Sequence, residues 1–248
     1  MKHVSNINVY GFAIFLIFLL VFSNASFLFN LSTEALGGFA GTFIERILIT
    51  GESVGTQWPQ WWTTFYWFSW MAWAPTSGAF MGQIAYGRKV KHVLGLYVGL
   101  CASVSALWMV LVSGTSLWVQ TSGLFDLVAS YDRGVENVPY DMLGALPLGN
   151  LIIPLFVVLI FLSTITACNS NCIAMAGIST QGINPDSPDS PMWLKLVWCV
   201  VPMAVGYIMI ATVGVNGVKI IANFGGMFAA LIMIGATASP VSYTHLTL

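Results

Sequence analysis

Charged residues are scarce in this sequence. Lys and Arg total 8, Asp and Glu total 9, and together they make up only 7% of the 248 residues, whereas a soluble domain carries about 25%. Because so little charge cannot cover a water-exposed surface, the composition excludes an ordinary soluble domain and predicts an integral membrane protein in a lipid bilayer. The few basic residues are scattered, so we expect no nucleic-acid partner.

Histidine and cysteine are also scarce. The 3 histidines form no motif with an acidic residue, so we expect no enzymatic activity, no catalytic residues, no metal and no cofactor. The 4 cysteines lie in apolar stretches, where packed, reduced thiols are the usual state. These cysteines are Cys101, Cys168, Cys172 and Cys199.

Apolar residues are abundant, at 57% of the chain. They form six segments, each near the roughly 20 residues that cross a bilayer. Backbone polar groups inside lipid must be satisfied within the chain, so each segment should be a helix. We therefore predict an all-α, polytopic transmembrane helical bundle, with one domain over 1–239 and an atypical tail at 240–248. The predicted spans are about 8–30, 60–85, 93–118, 148–180, 192–214 and 216–238.

Two polar connectors, 31–59 and 119–147, separate these spans, and part of the first has the spaced apolar residues of an interfacial helix. Basic residues occur before the first span at Lys2, in the loop GRKVKH at 87–92, and at Lys195. All three places fall on one side, which the positive-inside rule assigns to the cytoplasm. The sequence thus predicts a multi-pass protein of the plasma (cell inner) membrane.

The stretch FYWFSWMAWAPTSG at 65–78 is dense in aromatic residues and contains no charge. Tyr66, Trp70 and Trp73 follow the spacing of one helix face. Pro75 removes a backbone donor and crowds the preceding turn, and Gly78 permits almost any backbone geometry. We expect a helix break here, as a kink or an unwound stretch near the middle of the span.

Two roles compete for the tryptophans of this segment. Trp61 and Trp62 lie at its outer end and fit an interfacial belt. Trp70 and Trp73 fall about 15 Å deeper along the helix, where a ligand-facing role competes with plain packing. Aromatic faces bind quaternary ammonium ions, which have no N–H to donate. No Asp or Glu occurs inside any predicted span, so clustered rings are the available source of negative potential for a cation.

The sequence resembles the betaine/carnitine/choline transporter (BCCT) family. FYWFSWMAWAP is similar to the aromatic signature of that family, in which Trp-Thr precedes Phe-Tyr-Trp and further tryptophans lead to Pro. Four other segments resemble family segments in the same order along the chain. They are VSNINVY (4–10), YGRKVKH (86–92), LGALPLGN (143–150) and TACNSN (166–171).

The resemblance implies a leucine-transporter-like inverted-repeat fold. This chain would hold the last helix of the first repeat and the whole second repeat, and we expect a fragment from the C-terminal half of such a protein. The implied function is secondary transport of a quaternary ammonium compound by alternating access, with betaine, choline, carnitine or a related osmolyte as substrate. Several members of the family are trimers, which implies a possible homo-oligomer.

The resemblance also implies site residues. Trp70 and Trp73 match tryptophans that line the substrate pathway, with Tyr66, Trp67 and Ser69 beside them. Ser69 stands where many members have a further tryptophan, so one ring face is missing. Closer to the outer vestibule the matching aromatics are Trp62 and Phe65.

The polar segment STITACNSN at 163–171 resembles the sodium-binding stretch of sodium-coupled members. Thr166 matches a hydroxyl ligand, and Asn169 and Ser170 add polar groups to this possible ion site. Ala167 replaces an adjacent serine, and because a methyl group cannot coordinate Na⁺, we expect little Na⁺ dependence. The alternative is that these side chains only bond locally or across helices.

Other functions remain open beside quaternary ammonium transport. A different leucine-transporter-like symporter, for amino acids, would not need three or more rings in its site. A sensor could bind the same ligand without moving it across the membrane. Uptake of labelled ligand, as opposed to binding alone, separates a sensor from a transporter.

Overall fold

The structure, a computed structural model, describes residues 2–85, 87–182 and 190–246, so Tyr86 and the last two residues of the predicted tail lie outside the described residues. Every regular element in these ranges is helical, which confirms the all-α fold. Helix α4 contains π-helical turns at Gly95–Leu100 and Met109–Ser113. The helices are α1 Lys2–Phe22, α2 Ala25–Leu48, α3 Trp58–Ala85, α4 Val90–Thr121, α5 Leu127–Arg133, α6 Val138–Gly144, α7 Gly149–Ile178, α8 Met192–Val213 and α9 Val215–Leu246.

Within the described ranges, 5 helices are long and apolar enough to cross a membrane. They are α1, α4, α7, α8 and α9, and they overlap five of the six predicted spans. The remaining span, 60–85, is helical as α3, but its many Trp, Tyr, Thr and Ser residues make it less apolar than the others. A polytopic helical membrane protein is therefore confirmed, and the crossing of the membrane by α3 stays a prediction.

The first predicted span, 8–30, is wrong at its C-terminal end, because α1 stops at Phe22 and α2 begins at Ala25. The Oδ1 atom of Asn24 accepts a hydrogen bond from the backbone N–H of Phe27 at 3.0 Å. This side chain satisfies one of the donors left open at the start of α2, as an N-terminal cap does. The part of the connector 31–59 that was predicted as an interfacial helix lies within α2, which continues to Leu48.

The polar connector 119–147 contains two short helices, α5 and α6. Asp126 caps α5 by accepting from the N–H groups of Val128 and Ala129 at 3.1 and 3.2 Å. An ion pair of 2.7 Å joins Arg133 to Asp141 and so ties α5 to α6. Charged residues of the predicted polar connector thus cap α5 and link α5 to α6.

The chain divides into two compact units, each made of two separate stretches. Unit 1 contains Met1–Ile47 and Arg88–Ala167. Its core forms where α1 meets α4 and α7: the ring of Phe15 stacks on Phe156 with centroids 5.1 Å apart, and Phe12 meets Trp108 edge to face at 5.4 Å. The fully buried large side chains of this core include Phe15, Leu19, Leu28, Val119, Met142 and Leu143.

Unit 2 contains Leu48–Gly87 and Cys168–Leu248, so it holds α3, the end of α7, α8 and α9. The thiol of Cys172 lies 3.2 Å from the carbonyl oxygen of Trp198, and the indole N–H of Trp198 donates to the Ser179 hydroxyl at 3.1 Å. The first bond joins α7 to α8, and the second joins α8 to the turn that follows α7. The last helix continues to Leu246 and passes the predicted limit at 238. The domain boundary at 239 stays a prediction.

Candidate functional site

Helix α3 of unit 2 presents two distinct faces. Trp61, Phe65, Phe68 and Ala72 recur at intervals of three or four residues and therefore share one face. Tyr66, Trp70 and Trp73 share another face, roughly 130° around the helix. The first face packs on α9, whereas the rings of the second face are largely exposed, so the two sets of residues lie on different sides of the same helix.

The packing face approaches α9 very closely. A Cβ atom built on Gly226 would lie 1.9 Å from the carbonyl oxygen of Phe68, a distance that real Cβ atoms essentially never show. A Cβ atom on Gly225 would lie 4.0 Å from the Cβ of Ala72, at ordinary contact distance. Small residues at a helix crossing let two backbones meet, as is usual in membrane proteins. This contact fixes which side of α3 faces α9.

The second face of α3 carries large exposed aromatic rings. Trp70 is 60% exposed and Trp73 is 50% exposed, although both lie well inside the helix. Tyr66 meets Trp70 edge to face with centroids 6.2 Å apart, and it meets Trp67 in the same way at 6.2 Å. Three of the predicted site residues therefore form one connected ring cluster, and Trp73 extends their face by one turn.

Ser69 occupies a different environment from its neighbours. Its Oγ atom is buried, and no described residue gives it a hydrogen-bond partner. A buried hydroxyl without a partner is unusual and calls for a physical explanation. Its position on the helix lies between the packing face and the exposed ring face, so a small polar group stands beside the α9 contact.

The predicted unwound stretch at Pro75 is wrong, because α3 runs as one helix from Trp58 to Ala85 with Pro75 inside it. The hydroxyl of Thr76 donates to the carbonyl oxygen of Trp73 at 3.0 Å, an ordinary local bond of a helical threonine. Gly78 lies in open space, with nothing within 4 Å of a built Cβ atom. A kink at this position stays a prediction.

Near the N-terminal end of α3, a lysine ammonium lies over three rings. The Nζ atom of Lys219 lies 5.4 Å from the ring centroid of Trp61, 5.8 Å from that of Trp62 and 5.5 Å from that of Phe65. Distances within about 6 Å are those of cation–π attraction. We call Trp61, Trp62 and Phe65 the outer aromatic cage. Its resident cation comes from α9 of the same unit.

A polar cavity of about 410 Å³ adjoins the outer aromatic cage and shares Trp61 with it. The side chain of Gln60 donates to the carbonyl oxygen of Thr50 and so ties α3 to the preceding loop. The buried Oδ1 atom of Asn223, on the cavity wall, has no hydrogen-bond partner among the described residues. The cavity is lined by Glu52, Gln57, Gln60, Trp61, Thr64 and Asn223.

The predicted ion site on α7 is divided between the units, with Thr166 in unit 1 and Asn169 and Ser170 in unit 2. The hydroxyl of Thr166 donates to the carbonyl oxygens of Leu162 and Ser163, at 3.1 and 2.9 Å. Both are local bonds within the helix. They agree with the alternative that the polar side chains of this segment only bond locally or across helices. An ion-binding role for these residues stays a prediction.

Sequence reasoning missed two residues of this region, Lys219 and Asn223. A signal for Lys219 was present, since an ionisable residue within an apolar span marks a functional position by default. Its ring partners belong to another helix, and only the pairing of α3 with α9 brings them together. Trp61, interpreted from the sequence as part of an interfacial belt, is one wall of the cage.

Comparison with known families gives one match of almost full length. The family model described as BCCT, betaine/carnitine/choline family transporter, matches residues 1–245. The match extends beyond Pro240, the first residue of the tail that we predicted to be atypical. It covers both units, every membrane-length helix and all residues of the α3 ring cluster.

Proposed function

The chain belongs to the betaine/carnitine/choline transporter family, and on that premise we propose that it moves quaternary ammonium compounds across the plasma membrane by alternating access. Membership implies transport of betaine-, carnitine- or choline-type compounds rather than enzymatic chemistry. The residues proposed to bind the substrate are Tyr66, Trp67, Trp70 and Trp73, with Ser69 beside them.

The exposed ring face of α3 is the observation that carries this proposal. A trimethylammonium group has no N–H donor and a diffuse charge, so ring faces suit it better than carbonyl or hydroxyl oxygens. A desolvated ring face contributes about 2 kcal/mol or more to binding such a cation. Tyr66 and Trp70 are already in edge contact at 6.2 Å, so part of the cluster is pre-organised before a ligand arrives.

The position of the rings on α3 supports a site that changes exposure during transport. The opposite face of α3 is held on α9 by the contact between Phe68 and Gly226, so these two helices are suited to move as one body. Rigid movement of such a pair, with the ring face attached, is the kind of motion that alternating access uses. Trp62 and Phe65 then belong to the outer part of the route.

Uptake into proteoliposomes tests this function. Vesicles containing the purified protein should accumulate labelled choline or betaine above protein-free vesicles. Trp73→Leu should lower the initial uptake rate by at least about tenfold, because one ring face is worth more than that factor in affinity. Trp193→Leu is the matched control, since Trp193 is also exposed, at 65%, but lies at the start of α8. Binding without accumulation would make the protein a sensor.

A further inference from the structure

We infer that the outer aromatic cage is a cation-binding site whose resident ligand is Lys219, and that an entering organic cation displaces this ammonium toward Asn223. The inference rests on the proposed function only in taking a quaternary ammonium ion as the entering cation. Lys219 then competes, from within the same chain, with the entering cation for the outer aromatic cage, and so lowers the apparent affinity of the cage for that cation.

The cage geometry is that of a bound ligand. The Lys219 ammonium lies between 5.4 and 5.8 Å from three ring centroids at once. Aromatic cages of this type bind methylated ammonium ions in other proteins. A quaternary ammonium and a lysine ammonium cannot both occupy the same ring faces, so binding of one requires departure of the other.

Lys219 has an alternative position one helical turn away. Asn223 follows it by four residues on α9, so both side chains lie on the same side of the helix. The Oδ1 atom of Asn223 is buried without a hydrogen-bond partner among the residues described, and Lys219 carries three N–H donors. A carboxylate, that of Glu52, lines the same cavity as Asn223.

The exchange suits the chemistry of the two cations. A quaternary ammonium ion cannot donate hydrogen bonds, so only the rings serve it. The lysine ammonium can donate, and its flexible four-carbon stem lets it leave the rings for an oxygen acceptor. On displacement, the entering cation takes over the ring contacts of Lys219. The lysine ammonium then donates a hydrogen bond to the Oδ1 atom of Asn223, which otherwise has no partner among the described residues.

Equilibrium binding of labelled choline to the purified protein tests this inference. Lys219→Met keeps the length of the side chain and removes the competing ammonium. If Lys219 leaves the cage free roughly one fifth of the time, its removal should lower the apparent Kd for choline about fivefold. Lys219→Arg keeps a cation in place and should leave the Kd near that of the unmodified protein. Lys195→Met is the matched control in α8 and should change the Kd by less than about twofold.

Asn223→Leu gives the result that a merely structural lysine would not produce. Removing the alternative acceptor should weaken choline binding in the unmodified protein but have no effect once Lys219 is methionine. Equal effects of Asn223→Leu in both backgrounds, or no change of Kd in Lys219→Met, would overturn the inference.

Repeating the series in a Trp70→Leu, Trp73→Leu background separates this inference from the proposed function. Choline binding that persists there, tightens with Lys219→Met and is lost with Trp61→Leu supports the cage, even if uptake fails. Loss of all binding in that background rejects the cage as a site. Uptake that depends on Trp73 while Lys219→Met leaves the Kd unchanged supports the transport function and rejects the role of Lys219.

Discussion

The carbonyl oxygen of Phe68 lies against Gly226, only 1.9 Å from where a Cβ atom at position 226 would sit. Because the obstacle is backbone, it cannot move aside as a flexible side chain would. We predict that Gly226→Ala pushes α3 and α9 apart and destabilises the folded protein by about 3 kcal/mol, the upper range for overpacking a core. The midpoint of thermal unfolding in detergent should fall accordingly.

Gly78→Ala on the same pair of helices is the matched control. Nothing lies within 4 Å of a Cβ atom built there, and alanine in a helix interior is more stable than glycine by roughly 0.5–1 kcal/mol. The unfolding midpoint should therefore stay or rise. An equal loss of stability in both variants would show that α3 and α9 do not meet as described.

The core of unit 1 provides a second stability prediction. Phe15 is 0% exposed and stacks on Phe156 at 5.1 Å, so Phe15→Ala should cost about 3–5 kcal/mol through lost burial and the cavity left behind. Ile14→Ala removes an apolar side chain that is 60% exposed, and its effect should be small. Thermal unfolding of the two purified variants, compared side by side, checks the difference.

The helical spans could be predicted because apolar length alone determines most of them. Local capping signals were missed: Asn24 starts a new helix inside the predicted first span, which made the end of that span wrong. Asp126 starts a short helix that the sequence analysis did not predict in the polar connector. Side chains of Asn and Asp cap helices as readily as they form turns. Composition over a long window therefore cannot distinguish a capped break from a continuous span.

The ring face of α3 was also predictable, because Tyr66, Trp70 and Trp73 follow helical spacing and the structure keeps that region helical. The outer aromatic cage was not, because it depends on the register between α3 and α9. That register is determined by the contact of Gly226 with a backbone carbonyl, which leaves no pattern in either helix alone. Periodicity gives the face of a helix but not the residue opposite it.

Trp70 and Trp61 separate the two aromatic sites by function. Trp70→Ala should abolish uptake of the quaternary ammonium substrate, since its ring is central to the exposed cluster with Tyr66. Trp61→Ala should leave at least about half of the maximal rate, because a single ring of the outer cage contributes less to a saturated transporter than to binding at low concentration. Initial rates at saturating choline measure both, and equal losses would contradict the assignment of substrate binding to Trp70.

The residues of α7 also predict that transport depends little on Na⁺. Ala167 follows Thr166, and its methyl group offers no oxygen ligand to Na⁺. If the binding of Na⁺ and that of the substrate are uncoupled, replacing Na⁺ by K⁺ should change the uptake rate by less than about twofold. Ala167→Ser adds a second hydroxyl, so in this variant uptake in Na⁺ should be about fivefold faster than uptake in K⁺. Ala174→Ser makes the same change further along α7 and should leave uptake independent of Na⁺. A steep Na⁺ requirement in the unmodified protein would show instead that Thr166 and backbone carbonyls suffice as ligands.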